Sequence, residues 1–231
     1  PLLGTPDSWK RLVRALRPRS LVAALTGKPQ PPRYAVVCFG CDEFLKPGGG
    51  ENVPAAARAL RERLGQAAGQ LGIQLPTYVL FTRADAIPHF DAYVRNLSND
   101  EAREPVGASL QPDAGGTGTY ADRAGARLDK SLQELCRSLA RRRLQVLARE
   151  HSPEWKPGAY EFPRELRKLS PLMVDFMREI GRPSELQAGP VLRGFYFTGV
   201  QAVFINEVTP EYVSPAQQAP ARRQSAHAPG H

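Results

Sequence analysis

TYVLFTRADAIPHF, residues 77–90, stays apolar from Tyr78 to Phe81 and turns polar at Thr82-Arg83-Ala84-Asp85. A short apolar run with Pro76 before it and a polar turn after it reads as a buried strand ending at Thr82. Upstream, RYAVVCFG (33–40) is a second such run, rich in β-branched and aromatic residues, as expected of a strand buried on both faces. Between the two lies CDEFLKPGGGEN, expected to be a loop, and then a helix. Asn52 and Pro54 open that helix, whose apolar positions are Val53, Ala56, Ala57, Leu60, Leu64, Ala67 and Leu71; it closes near Gly72. Strand, amphipathic helix, strand is the βαβ unit, so the sheet is expected to be parallel. The fold class is α/β.

Further out, Asp7 and Ser8 can cap a short first helix with Trp9, Leu12, Val13 and Leu16 on one face, ended by Arg17-Pro18. Gly27-Lys28 is followed by Pro29 rather than the Ser or Thr and helix a phosphate loop needs, so it reads as a turn. After Asp85, Pro88 starts a helix carrying Phe90, Val94 and Leu97. Pro105 to Tyr120 reads as a break whose DAGGTGTY glycines make a flexible connector. A long helix is expected over about 122–151, with Leu128, Leu132, Leu135, Leu139 and Val146 inward and Arg137, Arg141, Arg142, Arg143 and Arg149 outward. That arginine face is expected to be solvated, with an acidic protein partner as its functional counterpart. A second helix over about 163–180 repeats Leu166, Leu169, Met173, Phe176 and Ile180, and the two pair antiparallel. VLRGFYFTG (191–199) then returns to strand character and is expected to rejoin the sheet. The expected organisation is an α/β part over 1–108, a helical extension over 109–190, the returning strand over 191–206 and a disordered tail over 207–231, rich in Pro, Ala, Gln and Arg.

Composition narrows the function. The chain has 231 residues, 42% of them apolar, a mean hydropathy of -0.39, a net charge of +8 and a pI near 9.7. Its longest strongly apolar run, around Tyr34 to Cys41, is about eight residues, against the ~20 a membrane helix needs. Pro1 is an unusual first residue, so a fragment of a longer protein is expected. The basic residues are mostly arginine and spread over several helices, without interleaved aromatics for stacking bases, so nucleic acid is not the expected partner. Three cysteines make no disulfide framework. Cys38 and Cys41, three apart around a strand, fall on opposite faces. With His89, His151, His227 and His231 scattered, no metal is expected.

Thr82, Arg83 and Asp85 are the candidate site. In an open parallel sheet, ligands bind beyond the carboxyl ends of the strands. An aspartate there can accept both donors on the Watson–Crick edge of guanine, and a long cationic side chain can lay its stem over the base. Each hydrogen bond to the charged group is worth about 1.5–3 kcal/mol. The bland alternative is that Asp85 caps the helix after it. Hydrolysis would further need a phosphate cradle with its lysine, a magnesium-holding hydroxyl and a residue orienting water, and none of these motifs is present. No catalytic residue is assigned.

LPTYVLFTRADAIPHF (75–90), VGASLQ (106–111) and above all LRGFYFTG (192–199) resemble the cytoplasmic domain of the IcmF/TssM family, large inner-membrane subunits of the bacterial type VI secretion system. WKRLVRALRPR ahead of a strand and an acidic loop also fits, and the resemblance covers roughly residues 7–206. It implies a partial P-loop NTPase-like parallel sheet with an inserted helical subdomain, on the cytoplasmic face of the inner membrane. It implies as partners the TssL-like and TssJ-like membrane-complex subunits and the baseplate, with membrane association only through segments absent here. Arg83 stands where the family usually has lysine, which keeps the charge and changes its shape. The phosphate loop and Asp-x-x-Gly region expected before residue 1 are absent. The resemblance therefore implies Thr82, Arg83 and Asp85 as a nucleotide base-binding edge, with no cofactor held by this chain and GTP a ligand of a full-length protein.

Three functions compete. The first is a scaffold acting through protein contacts. The second is a GTP-binding NTPase whose phosphate-holding part lies upstream, and the third is a basic nucleic-acid module whose affinity would fall steeply with salt.

Overall fold

A computed structural model of the protein describes residues 6–15, 33–111, 119–183 and 188–200. The Gly27-Lys28 turn, the glycine cluster at 112–118 and the tail lie outside these residues. In chain order the elements are α1 (Pro6–Ala15), β1 (Ala35–Gly40), α2 (Asp42–Leu45), α3 (Gly49–Leu71) and β2 (Leu75–Thr82). A 3-10 turn (Ala84–Ala86), α4 (Phe90–Val94), α5 (Asn99–Arg103) and β3 (Val106–Ser109) follow, then α6 (Tyr120–Arg149), α7 (Lys156–Ile180) and β4 (Pro190–Phe197).

The strands form a mixed four-stranded sheet in the order β1-β2-β4-β3. β1 and β2 are parallel, from Ala35 opposite Thr77 to Gly40 opposite Thr82. β4 lies parallel on the other side of β2, from Pro190 opposite Leu75 to Phe197 opposite Phe81. So the three strands expected to stand side by side do so, and the late strand joins β2 directly. The register slips between Thr77 and Tyr78, which face Leu192 and Gly194 and leave Arg193 as the extra residue of a bulge. The bulge turns the β4 alternation, so that both Gly194 and Phe195 are buried.

β3 corrects the expected break at Pro105. Val106–Ser109 pairs antiparallel with β4, Val106 opposite Phe197 and Ser109 opposite Gly194. The segment has little strand propensity of its own; the ladder and the Ser109 to Tyr196 hydroxyl bond, 2.8 Å, hold it. Two short helices were also not anticipated. α2 replaces the first part of the expected loop, and α5 is set by a reciprocal capping box in which Ser98 and Glu101 satisfy each other's backbone N–H.

α3 begins after Gly48 at φ 80° and ends at Gly72 at φ 66°, left-handed conformations suited to glycine; the Gly72 N–H closes onto the Ala68 carbonyl. α7 starts at Lys156, seven residues before the expected Pro163. Pro157 falls in the first turn, where its missing N–H costs nothing, and Pro163 is accommodated inside the helix. α6 and α7 run antiparallel: Cys136 lies opposite Ser170 and Arg143 opposite the Tyr160 carbonyl. The expected inward residues Leu166, Leu169, Met173, Phe176 and Ile180 are all buried.

The core sits between the sheet and the helices on one face of it. Val37, Val79, Phe81 and Phe195 point there and meet Phe176 of α7 and Phe44 of α2. Phe176 is the hub, with ring centroids 4.2 Å from Phe39, 6.0 Å from Phe44 and 6.2 Å from Phe81. α5 is tied to α6 by Arg149 to Glu101, 2.6 Å, and Arg142 to Glu104, 3.0 Å. The Arg149 hydrogen bond, aided by the Ser98 N–H, holds the Glu101 carboxyl down to about 2.

The opposite face corrects the expectation that β1 and β2 are buried on both sides. β2 alternates strictly between buried and half-buried positions. On β1, Tyr34 just before the strand is 64% exposed, Val36 is 51% exposed, and Cys38 is exposed. The reason is that α3 and α7 cover one face, and no helix among the described residues covers the other. A row of tyrosines, Tyr34, Tyr78 and Tyr196, crosses that open face with centroids 6.3 and 6.4 Å apart.

Candidate functional site: the rim of the parallel strands

Three parallel strands end together, and the loops that leave them are stitched into one rim. After β1 the Cys41 N–H donates to the Thr82 carbonyl at 2.7 Å, extending the ladder by one residue. After β4 the Thr198 N–H donates to Phe81 and the Thr198 carbonyl accepts from Ala84, at 2.9 and 3.0 Å. Thr82, Arg83 and Asp85 all lie on this rim, at the carboxyl end of the central strand.

Their side chains have partners that the sequence did not suggest. Arg83, in the left-handed region at φ 55°, is exposed and donates through Nη1 to Asp42 Oδ2 at 2.8 Å. Its stem passes Gly40: a Cβ built there would lie 3.8 Å from Arg83 Cδ and run into the Asp42 carboxylate. Asp42 also receives Lys46 at 3.5 Å. Asp85 is exposed and sits inside the 3-10 turn. It does not cap the helix that follows; its Oδ1 accepts the Val200 N–H at 3.0 Å, tethering the exit of β4 to the exit of β2. The tether requires Gly199, where an added Cβ would come within 2.9 Å of the Asp85 nitrogen and 2.8 Å of the Phe90 ring.

Cys41 lies under the rim, fully buried. Burial, and then the carboxylates of Asp42 and Asp85, push its thiol up to about 12. A thiol so shielded is protonated and inert at neutral pH. The chemistry available on the rim is polar recognition, with the Asp42 and Asp85 carboxylates, the Arg83 guanidinium and the Thr82 hydroxyl among its groups. Beside it a cavity of about 220 Å³ opens between the sheet and α4–α7, lined chiefly by apolar groups such as Ile87, Phe90, Phe162 and Phe197. Among the described residues no cluster of His, Cys, Asp and Glu is arranged to hold a metal ion, and no helix is long and apolar enough to cross a membrane.

Sequence reasoning thus found the central part of the rim and missed Asp42, Gly199 and Val200. The available signals were an acidic pair one residue past an apolar strand, Asp42-Glu43, and a glycine one residue past another, Gly199.

Comparison with known proteins adds the family. The chain is 28% identical over 171 residues to the type VI secretion system component TssM1 of Pseudomonas aeruginosa, which takes in 74% of this chain. It spans only 15% of the length of that relative. No solved structure matches. The IcmF-related N-terminal domain family model matches residues 35–230, which include β1, β2, the rim and β4, so the protein belongs to the IcmF-related family.

Proposed function

We propose that this domain is a scaffold within a type VI secretion system membrane complex, acting through protein contacts at the cytoplasmic face of the inner membrane. The observation that carries the reading is the open face of the sheet. Strands apolar on both sides leave Tyr34, Val36 and Cys38 uncovered, and contiguous exposed apolar surface of this kind is what a partner covers. A groove of about 920 Å³ along β1, lined by Trp9, Val13, Val36 and Leu60 among others, adds to that surface. The similarity to TssM1 supplies the biological setting, with TssL-like and TssJ-like subunits and the baseplate as the partners.

A second reading has its own observation. Thr82, Arg83 and Asp85 stand together at the end of the central parallel strand, where a P-loop NTPase-like sheet would present a base-recognition edge for GTP. Arg83 would have to exchange Asp42 for the nucleotide, and the phosphate-holding part would come from polypeptide outside this chain. Titration of the chain with a fluorescent GTP analogue separates the two. The scaffold reading predicts no saturable binding at micromolar nucleotide, together with copurification of a TssL-like or baseplate subunit. Tight nucleotide binding, or no association with any of those subunits, would overturn it.

A further inference from the structure

The antiparallel pair α6 and α7 carries a second surface, on its side away from the sheet. A groove of about 340 Å³ runs between the two helices. Arg137 and Arg143 line it from α6, Arg164 and Arg167 from α7, and Glu161 is the acid in the lining. Four guanidinium groups therefore converge on a space that holds one carboxylate, itself 3.6 Å from Arg164. Among the described residues neither Arg137 nor Arg167 pairs with a carboxylate; Arg137 is bonded to the neutral Gln133 side chain at 3.3 Å.

Arg143 is held in place rather than waving in solvent. Its guanidinium stacks 4.0 Å from the centre of the Tyr160 ring, and its Nη1 reaches the Tyr160 carbonyl at 3.4 Å. Its Nε–H is buried without a hydrogen-bond partner. An arginine immobilised on an aromatic ring loses little entropy when a carboxylate binds. Apolar surface borders the charge: Tyr160 is 48% exposed and Leu144, one turn beyond Ala140 of the groove, is 71% exposed. Exposed tyrosine and arginine in the groove, with an exposed leucine one helical turn beyond it, are the composition of a protein-binding surface.

We propose that this arginine groove binds an acidic amphipathic segment of a partner protein, with glutamates or aspartates against the four arginines and an apolar residue against Tyr160 and Leu144. Protein is favoured over nucleic acid because the groove lining offers one aromatic ring, Tyr160, with Arg143 already on one of its faces, and no succession of rings on which bases could stack. The proposal deepens the scaffold reading and rests on it, but it uses a surface remote from the sheet and the rim. Failure here leaves the result of the nucleotide titration standing.

The probe is a fluorescein-labelled amphipathic helical peptide with glutamates on one face and leucines on the other, titrated by anisotropy against the full chain. Saturable binding is expected, weakened about tenfold or more in R164E/R167E, both exposed positions whose change should leave the circular dichroism unaltered. The Glu161→Gln variant removes the competing carboxylate and should tighten binding. Absence of saturable binding, an unchanged affinity in R164E/R167E, or displacement of the peptide by duplex DNA at equal charge concentration would each overturn the proposal.

Discussion

Truncating Phe176 to alanine is expected to destabilise the protein by about 3–5 kcal/mol, the cost of removing a phenyl ring from a close-packed core. Phe176 is 1% exposed and touches the rings of Phe39, Phe44 and Phe81, which come from β1, α2 and β2. It joins α7 to two adjacent strands, so the cavity left behind cannot close without moving the helix off the sheet. For a chain of this size the loss corresponds to a fall in Tm of roughly 6–20 °C. Differential scanning calorimetry of F176A measures it. A shift of a degree or less would mean that α7 does not pack on this face.

The second large effect concerns Glu150, a buried acid where α6 ends. Its carboxylate accepts from the Ser152 N–H at 2.8 Å and from Asn96 Nδ2 at 2.7 Å, and Arg95 lies 3.6 Å away. It therefore fixes the α6–α7 turn to the segment after α4. Glu150→Ala leaves those donors facing a void and is expected to cost about 1–3 kcal/mol. The Ser152 N–H, followed by Asn96 and Arg95, holds the carboxyl below its ordinary value of 4.5 despite its burial. A folded-state pKa that is depressed adds stability above the unfolded value and loses it as pH falls through the folded one. The difference between wild type and E150A, read from urea denaturation, should thus be full at neutral pH and shrink below about pH 4.5. A difference that stays constant down to strong acid would contradict the assignment.

What the sequence made legible follows the range of the interactions involved. β1, β2 and β4 announce themselves because each is a continuous apolar, β-branched or aromatic run, and α3, α6 and α7 because their apolar positions keep helical spacing. β3 carries no such signal. Val-Gly-Ala-Ser becomes a strand only because β4 is there to pair with it, and Gly107 lets the two backbones approach. The start of α7 was misread because proline inside a helix is usually a boundary; here Gly158 packs against Ala92 and His89, and the helix begins earlier.

The site shows the same limit. The triplet Thr82, Arg83 and Asp85 is local and could be read directly. Its partners are 41 residues away for Arg83 and 115 for Asp85. No periodicity predicts a carboxylate that binds a backbone N–H at that distance. Even the face that no described helix covers was hidden, because β1 and β2 have the composition of strands covered on both sides and only the placement of α3 and α7 reveals which side the described helices leave open.

The cysteines report that placement most directly. Cys38 is exposed on the face that no described helix covers, Cys41 lies beneath the rim and Cys136 in the helical pair. Brief alkylation of the native chain with iodoacetamide, followed by peptide mass spectrometry, should modify Cys38 alone, with all three reacting once the protein is unfolded. Modification of Cys41 at the rate of Cys38, or protection of Cys38 in the native chain, would contradict a mixed sheet whose described helices cover one side only.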